Sequence, residues 1–501
     1  MRKAEGLRMK AEPKNASELK TLYVRILYSL VTLMGLFFSA TLSHADERPN
    51  ILFFITDDEA WLERSAYFWS DLPTPAFDRV ADQGVLFERG FTSAPSCGPS
   101  RACVLTGRNF WELKQGAFIQ AFIPKDIPVF THLLAENGYH VGKTDKGWGP
   151  GVFIEGSHDQ LLGTHYNEIK VPNQVPYLST SDYTANFKAF LEDRENGQPF
   201  FFWAGVTEPH GGWDAENYMR LEKEFGVSLD DVLLASFIED TRENRIRRAN
   251  ILYEICYADL QLDRMLRHLE AIGELGNTLI VVTSDNGTGV SDANGLHGKA
   301  SAYDSGVHVP LAVMWPAQVP SGRRVTDFVN FRDLAPTFLE VAGLDPAPGM
   351  TGKSLLPILV SEKSGRIEPE RNWMMTGLEW HGEFDPETRS SRSIRNDWYS
   401  YIVKFRNVDD ANDALSNQEL TEPFQREFYD LMVDPWEQKN LIDDPRHAAE
   451  IEKLEMQMRA YALETGDPRF TGDMDIFRQT REYVQKRKRI GYEETLTLPF
   501  D

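Results

Sequence analysis

The sequence predicts an α/β protein in which a mostly parallel sheet is sandwiched by helices and followed by a smaller C-terminal α+β part. Apolar runs alternate with helical patterns through about three quarters of the chain, as is typical of parallel βα units. The strongest of these runs lack any polar and apolar alternation, which indicates strands buried on both faces. Short aromatic runs near the C-terminus predict a small antiparallel sheet.

The first 45 residues predict a signal peptide that lies outside this fold. A basic stretch precedes an apolar run over 27–42, and Ser43-His44-Ala45 places small residues at the first and third positions of a signal-peptidase site. We expect an exported protein, periplasmic or secreted, whose mature chain begins at Asp46 and does not insert stably into a membrane. The long basic leader leaves a membrane anchor at the cell surface open as the alternative.

The charge of the mature chain restricts the class of partner. Without residues 1–45 the chain has 46 basic and 73 acidic residues, a net charge of −27. Such a surface repels nucleic acid and other polyanions at long range, which argues against nucleic acid as a partner. An anionic substrate would have to be held by a local cluster of Arg and Lys in a pocket.

Polar residues follow three of the buried apolar runs. The runs span 51–55, 200–204 and 278–283, and the polar strings after them are Asp57-Asp58, Glu208-Pro209-His210 and Asp285-Asn286-Gly287. Ligands of open α/β sheets bind beyond the carboxyl ends of the strands, so we expect the three strings to face one crevice. The oxygen atoms of Asp57, Asp58, Asp285 and Asn286 suit a hard cation such as Ca²⁺. The alternative is that Asp58 and Asn286 only cap turns.

Helical patterns fill the intervals between the strands. Apolar residues recur at helical spacing over 128–136, 251–272 and 450–464, and glycine follows the first two segments. A polar, charged stretch at 361–371 predicts a boundary between a larger domain over 46–370 and a smaller one over 371–501. Aromatic runs at 398–402 and 427–431 predict strands of the smaller domain.

One string points directly to chemistry. Cys97-Gly98-Pro99-Ser100-Arg101, followed by Leu105-Thr106-Gly107, predicts a helix that begins at a modifiable side chain and places a positive charge one turn later. Such a helix start is suited to anions.

The Cys97 string resembles the signature of the type I, formylglycine-dependent sulfatases of the alkaline-phosphatase-like superfamily. Further matches follow in the family's order over about residues 48–445, at Thr74-Pro75, Pro209-His210, Asp285-Asn286-Gly287, Gly298-Lys299 and Tyr429-Asp430-Leu431. The bacterial polysaccharide sulfatases and the heparan N-sulfatases (sulfamidases) are the branch that the chain resembles most. The resemblance implies an alkaline-phosphatase-like fold and a sulfuric ester hydrolase that acts on an O-sulfated or N-sulfated oligo- or polysaccharide.

The resemblance also implies roles for individual residues. A maturation enzyme would oxidise Cys97 to formylglycine, whose hydrate attacks the sulfate sulfur and then expels sulfate. His210 would assist the leaving group, and Arg101, Lys146 and Lys299 would hold the sulfate. One Ca²⁺ per chain would be held by Asp57, Asp58, Cys97, Asp285 and Asn286.

The chain departs from the family pattern at Trp148. The family has a Lys-Trp-His string in which the histidine assists sulfate release, whereas this chain has Lys146-Gly147-Trp148, with Trp148 in the place of that histidine. We expect His297, His210 or Lys146 to take over as the base. Lys143, three residues earlier, is the alternative for the lysine that the resemblance assigns to Lys146.

Three further side chains are candidate substrate contacts, and two functions compete with the sulfatase reading. His381, Trp148 and Trp213 would touch the sugar, with packing as the alternative for each. The competing functions are a phosphonate or phosphodiester hydrolase of the same superfamily and a non-catalytic relative that binds anions or glycans.

The other two cysteines have no predicted role in the chemistry. Cys103 and Cys256 are expected to be small, buried hydrophobic residues, with a disulfide between them as the alternative.

Overall fold

The computed structural model describes residues 48–154, 156–172, 174–289, 297–381, 390–408 and 415–481. The signal peptide predicted over 1–45 lies outside the described residues. Within those ranges, no helix is long and apolar enough to cross a membrane. The division into domains at residues 370 and 371 stays a prediction.

The protein is built on a mixed eight-stranded sheet, a two-stranded sheet and a four-stranded antiparallel sheet. The strands are β1 (Asn50–Thr56), β2 (Val85–Phe87), β3 (Gly90–Phe91), β4 (His140–Asp145), β5 (Thr164–His165), β6 (Phe200–Gly205), β7 (Thr278–Ser284), β8 (Leu311–Met314), β9 (Arg323–Val325), β10 (Val329–Asn330), β11 (Trp373–Leu378), β12 (Ser390–Asn396), β13 (Tyr399–Phe405) and β14 (Gln425–Asp430). The large sheet has the order β5-β4-β6-β1-β7-β8-β2-β9, in which only β8 runs antiparallel to its neighbours.

The three predicted buried strands lie side by side in the centre of this sheet. Every residue of β1, β6 and β7 is buried, which explains the absence of polar and apolar alternation in these runs. Ile51 of β1 lies opposite Phe201 of β6 on one side and Leu279 of β7 on the other, and both pairings are parallel. The carboxyl ends of the three strands therefore meet at one edge, as predicted.

Helices cover both faces of the large sheet. They are α1 (Pro75–Asp82), α2 (Cys97–Thr106), α3 (Phe130–Glu136), α4 (Tyr183–Asp193), α5 (Asn217–Phe225), α6 (Arg242–Ala271), α7 (Asp304–Val307), α8 (Leu334–Val341), α9 (Leu356–Leu359), α10 (Asn417–Thr421), α11 (Ala448–Glu464) and α12 (Pro468–Thr471). Phe53 and Phe338 of α8 share one core, whereas Phe54 and Leu262 of α6 share the core on the opposite face. Successive side chains of β1 point to opposite faces of the sheet, so this strand contributes to both hydrophobic cores.

The predicted helices form, but α6 is longer than the sequence pattern indicates. It begins at Arg242 rather than near residue 251, and Thr241 caps it by accepting a hydrogen bond from the Asn244 N–H at 3.2 Å. The first turns contain mainly charged residues and therefore show no apolar periodicity. The local cap, and not a hydrophobic face, sets the start of this helix.

The C-terminal sheet follows the order β11-β12-β13-β14, and all its pairings are antiparallel. The aromatic runs predicted as strands are β13 and β14. A buried ionic network lies beside the sheet: Glu379, just after β11, accepts hydrogen bonds from Arg392 and Arg469 at 2.7 Å each, and Arg392 also donates to Asp467 at 2.6 Å. Burial alone would raise the pKa of Glu379, but the two guanidinium groups hold this pKa below its ordinary value.

Replacing Glu379 by glutamine is expected to lower the free energy of unfolding by about 3 kcal/mol, because two buried guanidinium groups lose their shared counter-ion. Urea denaturation of the mature protein measures the change. Glu270→Gln is the matched control, since Glu270 is 60% exposed and pairs with Arg79 at 3.3 Å. The control should change stability by less than about 0.5 kcal/mol. Equal effects of the two substitutions would contradict a stabilising role for the network.

Candidate active site

The polar residues at the ends of β1 and β7 converge as predicted. Asp57 and Asp58 follow β1, and the backbone N–H of Asp58, which has a left-handed φ of 72°, donates to Asp285 Oδ1 at 3.2 Å. Cys97 Sγ lies 3.4 Å from Asp57 Oδ1. One ligand atom from each of Asp57, Asp58, Cys97 and Asp285 lies within 4.8 Å of the others, and all four residues are buried. We call these four residues, together with Asn286, the carboxylate cluster.

The local sequence explains how Cys97 reaches the carboxylate cluster. Helix α2 begins at Cys97 and contains Pro99 in its first turn, where the missing N–H of proline costs nothing. The helix ends at Gly107, which has a left-handed φ of 65° and donates its N–H to the carbonyl of Cys103 at 3.0 Å. Ser100 ties the helix to β7 by donating to the Asp285 carbonyl at 2.5 Å. The predicted helix start at Cys97 is confirmed.

Each carboxylate of the cluster has a cationic partner. Lys146 Nζ pairs with Asp57, and Lys299 Nζ lies 2.6 Å from Asp58 Oδ1. Arg101 Nε donates to Asp285 Oδ2 at 2.7 Å. Burial alone would raise the pKa values of Asp57 and Asp58, but the two lysines hold both pKa values below their ordinary range. The carboxylates and their partners therefore have no net formal charge.

Arg101 and the two lysines differ in how many of their N–H groups already have acceptors in the chain. Arg101 is fully buried, and its Nη1 donates to the carbonyls of Lys146 and Gly147 at 3.0 Å each. The side chains of Lys146 and Lys299 remain 18% and 13% exposed. Arg101 thus fixes Asp285 and the segment after β4, whereas the two lysines have N–H groups left for a ligand.

Lys146, and not Lys143, is the lysine at the carboxylate cluster. The amine of Lys143 donates to the Asp145 carbonyl instead. The backbone N–H of Lys146 donates to the Gly205 carbonyl at 3.0 Å, and a side chain at Gly205 would lie 1.6 Å from the Lys146 carbonyl oxygen. Glycine at the end of β6 is therefore what lets Lys146 approach.

Asn286 indicates that the carboxylate cluster fits a cation. Its Nδ2 donates to Asp58 Oδ1 at 2.8 Å, whereas its buried Oδ1 has no hydrogen-bond partner among the described residues. A buried carbonyl oxygen without a partner costs roughly 1–3 kcal/mol. This oxygen and the neighbouring carboxylates form a set of hard donors of the kind that Ca²⁺ takes.

The three cysteines of the chain are all described, buried and free. Burial, together with the negative charges of Asp285 and Asp57, raises the pKa of the Cys97 thiol to about 12, so the thiol is protonated near neutral pH. Cys103 lies in α2 and Cys256 in α6, and both belong to hydrophobic clusters. The alternative of a disulfide between Cys103 and Cys256 is therefore wrong.

Two of the predicted histidines lie at the carboxylate cluster. His210 Nε2 is 3.8 Å from Asp58 Oδ2, and the side chain is 41% exposed. The carbonyl of Glu208 accepts the Asp57 N–H at 3.2 Å, which holds the loop of His210 against the end of β1. His381, just beyond β11, has Nδ1 2.9 Å from Ser96 Oγ. The C-terminal sheet thus delivers His381 to the residue before Cys97.

The third histidine candidate makes aromatic packing contacts. The ring of His297 is stacked between those of Phe237 and Tyr303, with centroid distances of 4.4 and 4.5 Å. These contacts give His297 a packing role and give no support to the expectation that it acts as the base.

The two tryptophan candidates are partly buried. The Trp148 ring contacts that of Phe153 at 5.6 Å, and its buried indole N–H has no partner among the described residues. Trp213 donates its indole N–H to the Pro209 carbonyl at 2.9 Å, directly beside His210. The contact of Trp213 with Pro209 thus holds its ring next to the loop of His210.

Sequence reasoning missed Ser96. A serine before a helix reads as an ordinary N-cap, and no pattern in the chain links it to a histidine 285 residues away. Only the packing of the C-terminal sheet against α2 reveals the pair.

Comparisons with known proteins identify the family of this chain. A family model described as Sulfatase matches residues 49–344, and one described as N-sulphoglucosamine sulphohydrolase, C-terminal, matches residues 293–464. An ulvan-active sulfatase of Formosa agariphila is 27% identical over 85% of this chain and 82% of its own length. Human N-sulphoglucosamine sulphohydrolase is 26% identical, over 84% and 91%.

A solved structure in complex with its substrate D-glucosamine-2-N,6-O-disulfate shares the fold, with a TM-score of 0.63 and 22% identity over 84% of this chain and 98% of that one. The Sulfatase model covers more than half of the chain, including Asp57, Cys97, Lys146, Asp285 and Lys299. The chain therefore belongs to the sulfatase family and is a sulfuric ester hydrolase.

Proposed function

We propose that this chain is an exported sulfatase that removes sulfate from a sulfated carbohydrate, with formylglycine at position 97 and one Ca²⁺ in the carboxylate cluster. The observation that carries the proposal is the position of Cys97, whose Sγ lies 3.4 Å from Asp57 Oδ1 in the carboxylate cluster. In the same cluster, Asn286 Oδ1 has no hydrogen-bond partner among the described residues. The relatives named for ulvan and for N-sulphoglucosamine support a carbohydrate substrate, with either an O-sulfate or an N-sulfate.

Electrostatics supports an anionic substrate. The three carboxylates of the cluster are balanced by Lys146, Lys299 and Arg101, so a bound Ca²⁺ would leave this group of residues with two positive charges. A sulfate ester would meet a local positive field within a chain whose net charge is −23. The pocket, and not the protein surface, would attract the substrate.

The residues of the chain would divide the work as follows. Lys146 and Lys299 donate N–H groups to sulfate oxygens and stabilise charge that develops there. Arg101 positions Asp285, and His210 donates a proton to the leaving oxygen or nitrogen. Ca²⁺, held by Asp57, Asp58, Cys97, Asp285 and Asn286, supplies Lewis acidity. Formylglycine at position 97 supplies a hydroxyl nucleophile where a buried thiol would stay protonated.

The remaining parts of the proposal rest on the sequence. The leader over 1–45 supports export to the periplasm or the medium, where a formylglycine-generating enzyme would already have acted on Cys97. The domain over 46–370 would supply the carboxylate cluster, and the smaller one over 371–501 would supply His381. Trp213 is the better placed of the two tryptophans for stacking on a sugar ring.

Intact mass of the mature protein from its native host tests the proposal. Residue 97 should be about 18 Da lighter than cysteine if formylglycine is present. A panel of sulfated disaccharides assayed beside matched phosphate and phosphonate esters should show faster release of sulfate. An unmodified thiol would exclude the covalent mechanism, and faster release of phosphate would favour the phosphonate or phosphodiester hydrolase reading.

A further inference from the structure

An exposed aromatic side chain lies beside the loop of His210. Tyr177 is 69% exposed, and its backbone has a left-handed φ of 70°. A bulky residue seldom adopts this conformation, because its Cβ crowds the backbone. The chain thus holds a large aromatic ring in water at a position that glycine or asparagine would occupy more easily, and packing in the core does not account for it.

The turn that contains Tyr177 is anchored to the protein on both sides of the next residue. Leu178 is buried in a hydrophobic cluster with residues of α6. The backbone N–H of Ser179 donates to Glu208 Oε1 at 2.8 Å, which joins the turn to the loop of His210. Tyr177 is therefore presented from a fixed backbone next to that loop.

The contacts of the Tyr177 ring place it close to His210. A Cβ added at Gly212 would lie 3.3 Å from Tyr177 Cδ1 and 3.4 Å from Cε1, so the ring packs directly against this glycine. The Cα atoms of His210 and Gly212 are at most about 7 Å apart, because two residues separate them. Gly211 and Gly212 are exposed, and the His210 side chain is 41% exposed. A substrate whose leaving group meets His210 can therefore extend over the two glycines to the Tyr177 ring.

A second aromatic ring lies on the same loop, beside the carboxylate cluster. A Cβ added at Gly289 would lie 3.4 Å from Asp58 Oδ2 and 3.8 Å from Trp213 Cζ2. A Cβ added at Gly211 would lie 3.2 Å from the same atom of Trp213. Trp213 and Tyr177 thus lie against successive glycines, and together they form an aromatic surface beside His210.

Aromatic rings in such a position suit a carbohydrate. One face of a pyranose ring presents C–H groups with a partial positive charge, and the face of an aromatic ring carries a partial negative charge. Stacking removes apolar surface from water while the sugar hydroxyls stay at the edge, where they can still form hydrogen bonds. A sulfate ester without a sugar ring would gain nothing from this surface.

We propose that Tyr177 is a substrate-binding residue whose ring stacks on a pyranose ring of the sulfated carbohydrate, on the leaving-group side of His210. The proposal rests on the proposed function, which supplies the carbohydrate. Because Tyr177 meets the sugar and not the sulfate, it binds the substrate and the transition state equally well. Its loss should therefore raise KM and leave kcat unchanged.

Tyr177→Ala tests the proposal in the mature protein, with the sulfated disaccharide that the wild type desulfates fastest. KM should rise about 10-fold while kcat stays within about twofold of wild type, because the ring contributes to binding alone. Tyr177→Leu, which keeps apolar bulk but has no aromatic face, should behave like Tyr177→Ala. Tyr177→Phe restores the ring face and should bring KM back to within about threefold of wild type. Inhibition by inorganic sulfate, which has no sugar ring, should be equally strong in all three variants.

Phe68→Ala is the matched control. Phe68 is also an exposed aromatic residue with a left-handed φ, of 64°, but the guanidinium of Arg324 in the edge strand β9 lies 4.7 Å from its ring centroid. This variant should keep the wild-type KM and kcat. The proposal is overturned if Tyr177→Ala keeps KM within about twofold of wild type, if Tyr177→Phe does not restore KM, if Tyr177→Leu restores it as well as Tyr177→Phe does, or if kcat falls as much as KM rises. A wild type that releases sulfate from no carbohydrate would instead contradict the proposed function.

Discussion

Cys97→Ala is expected to lower kcat/KM for sulfate release by about 10⁵-fold, the largest effect of any single substitution in the chain. The change removes the thiol from which the proposed formylglycine would form and leaves the carboxylates, the lysines and His210 in place. Because little volume is lost, the free energy of unfolding should fall by only about 1 kcal/mol. Sulfate release and urea denaturation of the same preparation separate loss of chemistry from loss of fold.

Cys103→Ala is the matched control for Cys97→Ala. Cys103 lies in the same helix, is fully buried and undergoes the same cysteine-to-alanine change, but it packs in the hydrophobic core. Its stability should fall by a similar amount while its turnover stays within about twofold of wild type. Comparable loss of activity in both variants would show that the helix, and not the nucleophile, had been damaged.

Removal of divalent cations is expected to reduce sulfate release by at least about 1,000-fold, and added Ca²⁺ should restore it. Without the cation, the charges of Asp57, Asp58 and Asp285 are only balanced by the lysines and Arg101, and no net positive field attracts the sulfate. Calcium at about 100 times its dissociation constant should add about 2.7 kcal/mol to the free energy of unfolding. Chelation followed by titration with Ca²⁺, read by activity and thermal unfolding, measures both effects.

Asn286→Leu tests whether this stabilisation arises in the carboxylate cluster. Because Asn286 Oδ1 accepts no hydrogen bond within the part of the chain that the structure describes, the main effect of Asn286→Leu should be a loss of Ca²⁺ affinity of at least about 10-fold. Asn186→Leu is the control: this buried asparagine of α4 bonds the Ile169 carbonyl at 2.8 Å and lies outside the cluster. It should lower stability but keep the full Ca²⁺-dependent increase. An unchanged increase in Asn286→Leu would place the cation elsewhere.

Much of the site follows from local sequence because local physics sets it. The unbroken apolar runs identify β1, β6 and β7, since only strands buried on both faces tolerate such runs. Because β1 and β7 pair in parallel, Asp57 and Asp285 lie at the same edge of the sheet, regardless of the path of the chain between the two strands. Pro99 and Gly107 likewise mark the start and end of α2. The helix start at Cys97 and the carboxylates at the strand ends were therefore predictable one element at a time.

The choice among chemically equivalent side chains was not predictable in this way. Lys143 and Lys146 differ by three positions, and the path of the chain beside Gly205 decides which amine reaches Asp57. His297 and His381 are both histidines near aromatic residues, but one is stacked between rings and the other meets Ser96.

The sequence by itself determined the fold class, the helix start at Cys97 and the oxygen-rich strand ends. Each depends on hydrophobic periodicity, on proline and glycine, or on the geometry of parallel strands. Only the packing of distant elements shows that Arg101 binds Asp285, that Asn286 Oδ1 has no hydrogen-bond partner among the described residues and that His381 contacts Ser96. The contacts of Arg101 with Asp285 and of His381 with Ser96 join residues 184 and 285 positions apart. They depend on how sheets and helices pack, which no local pattern encodes.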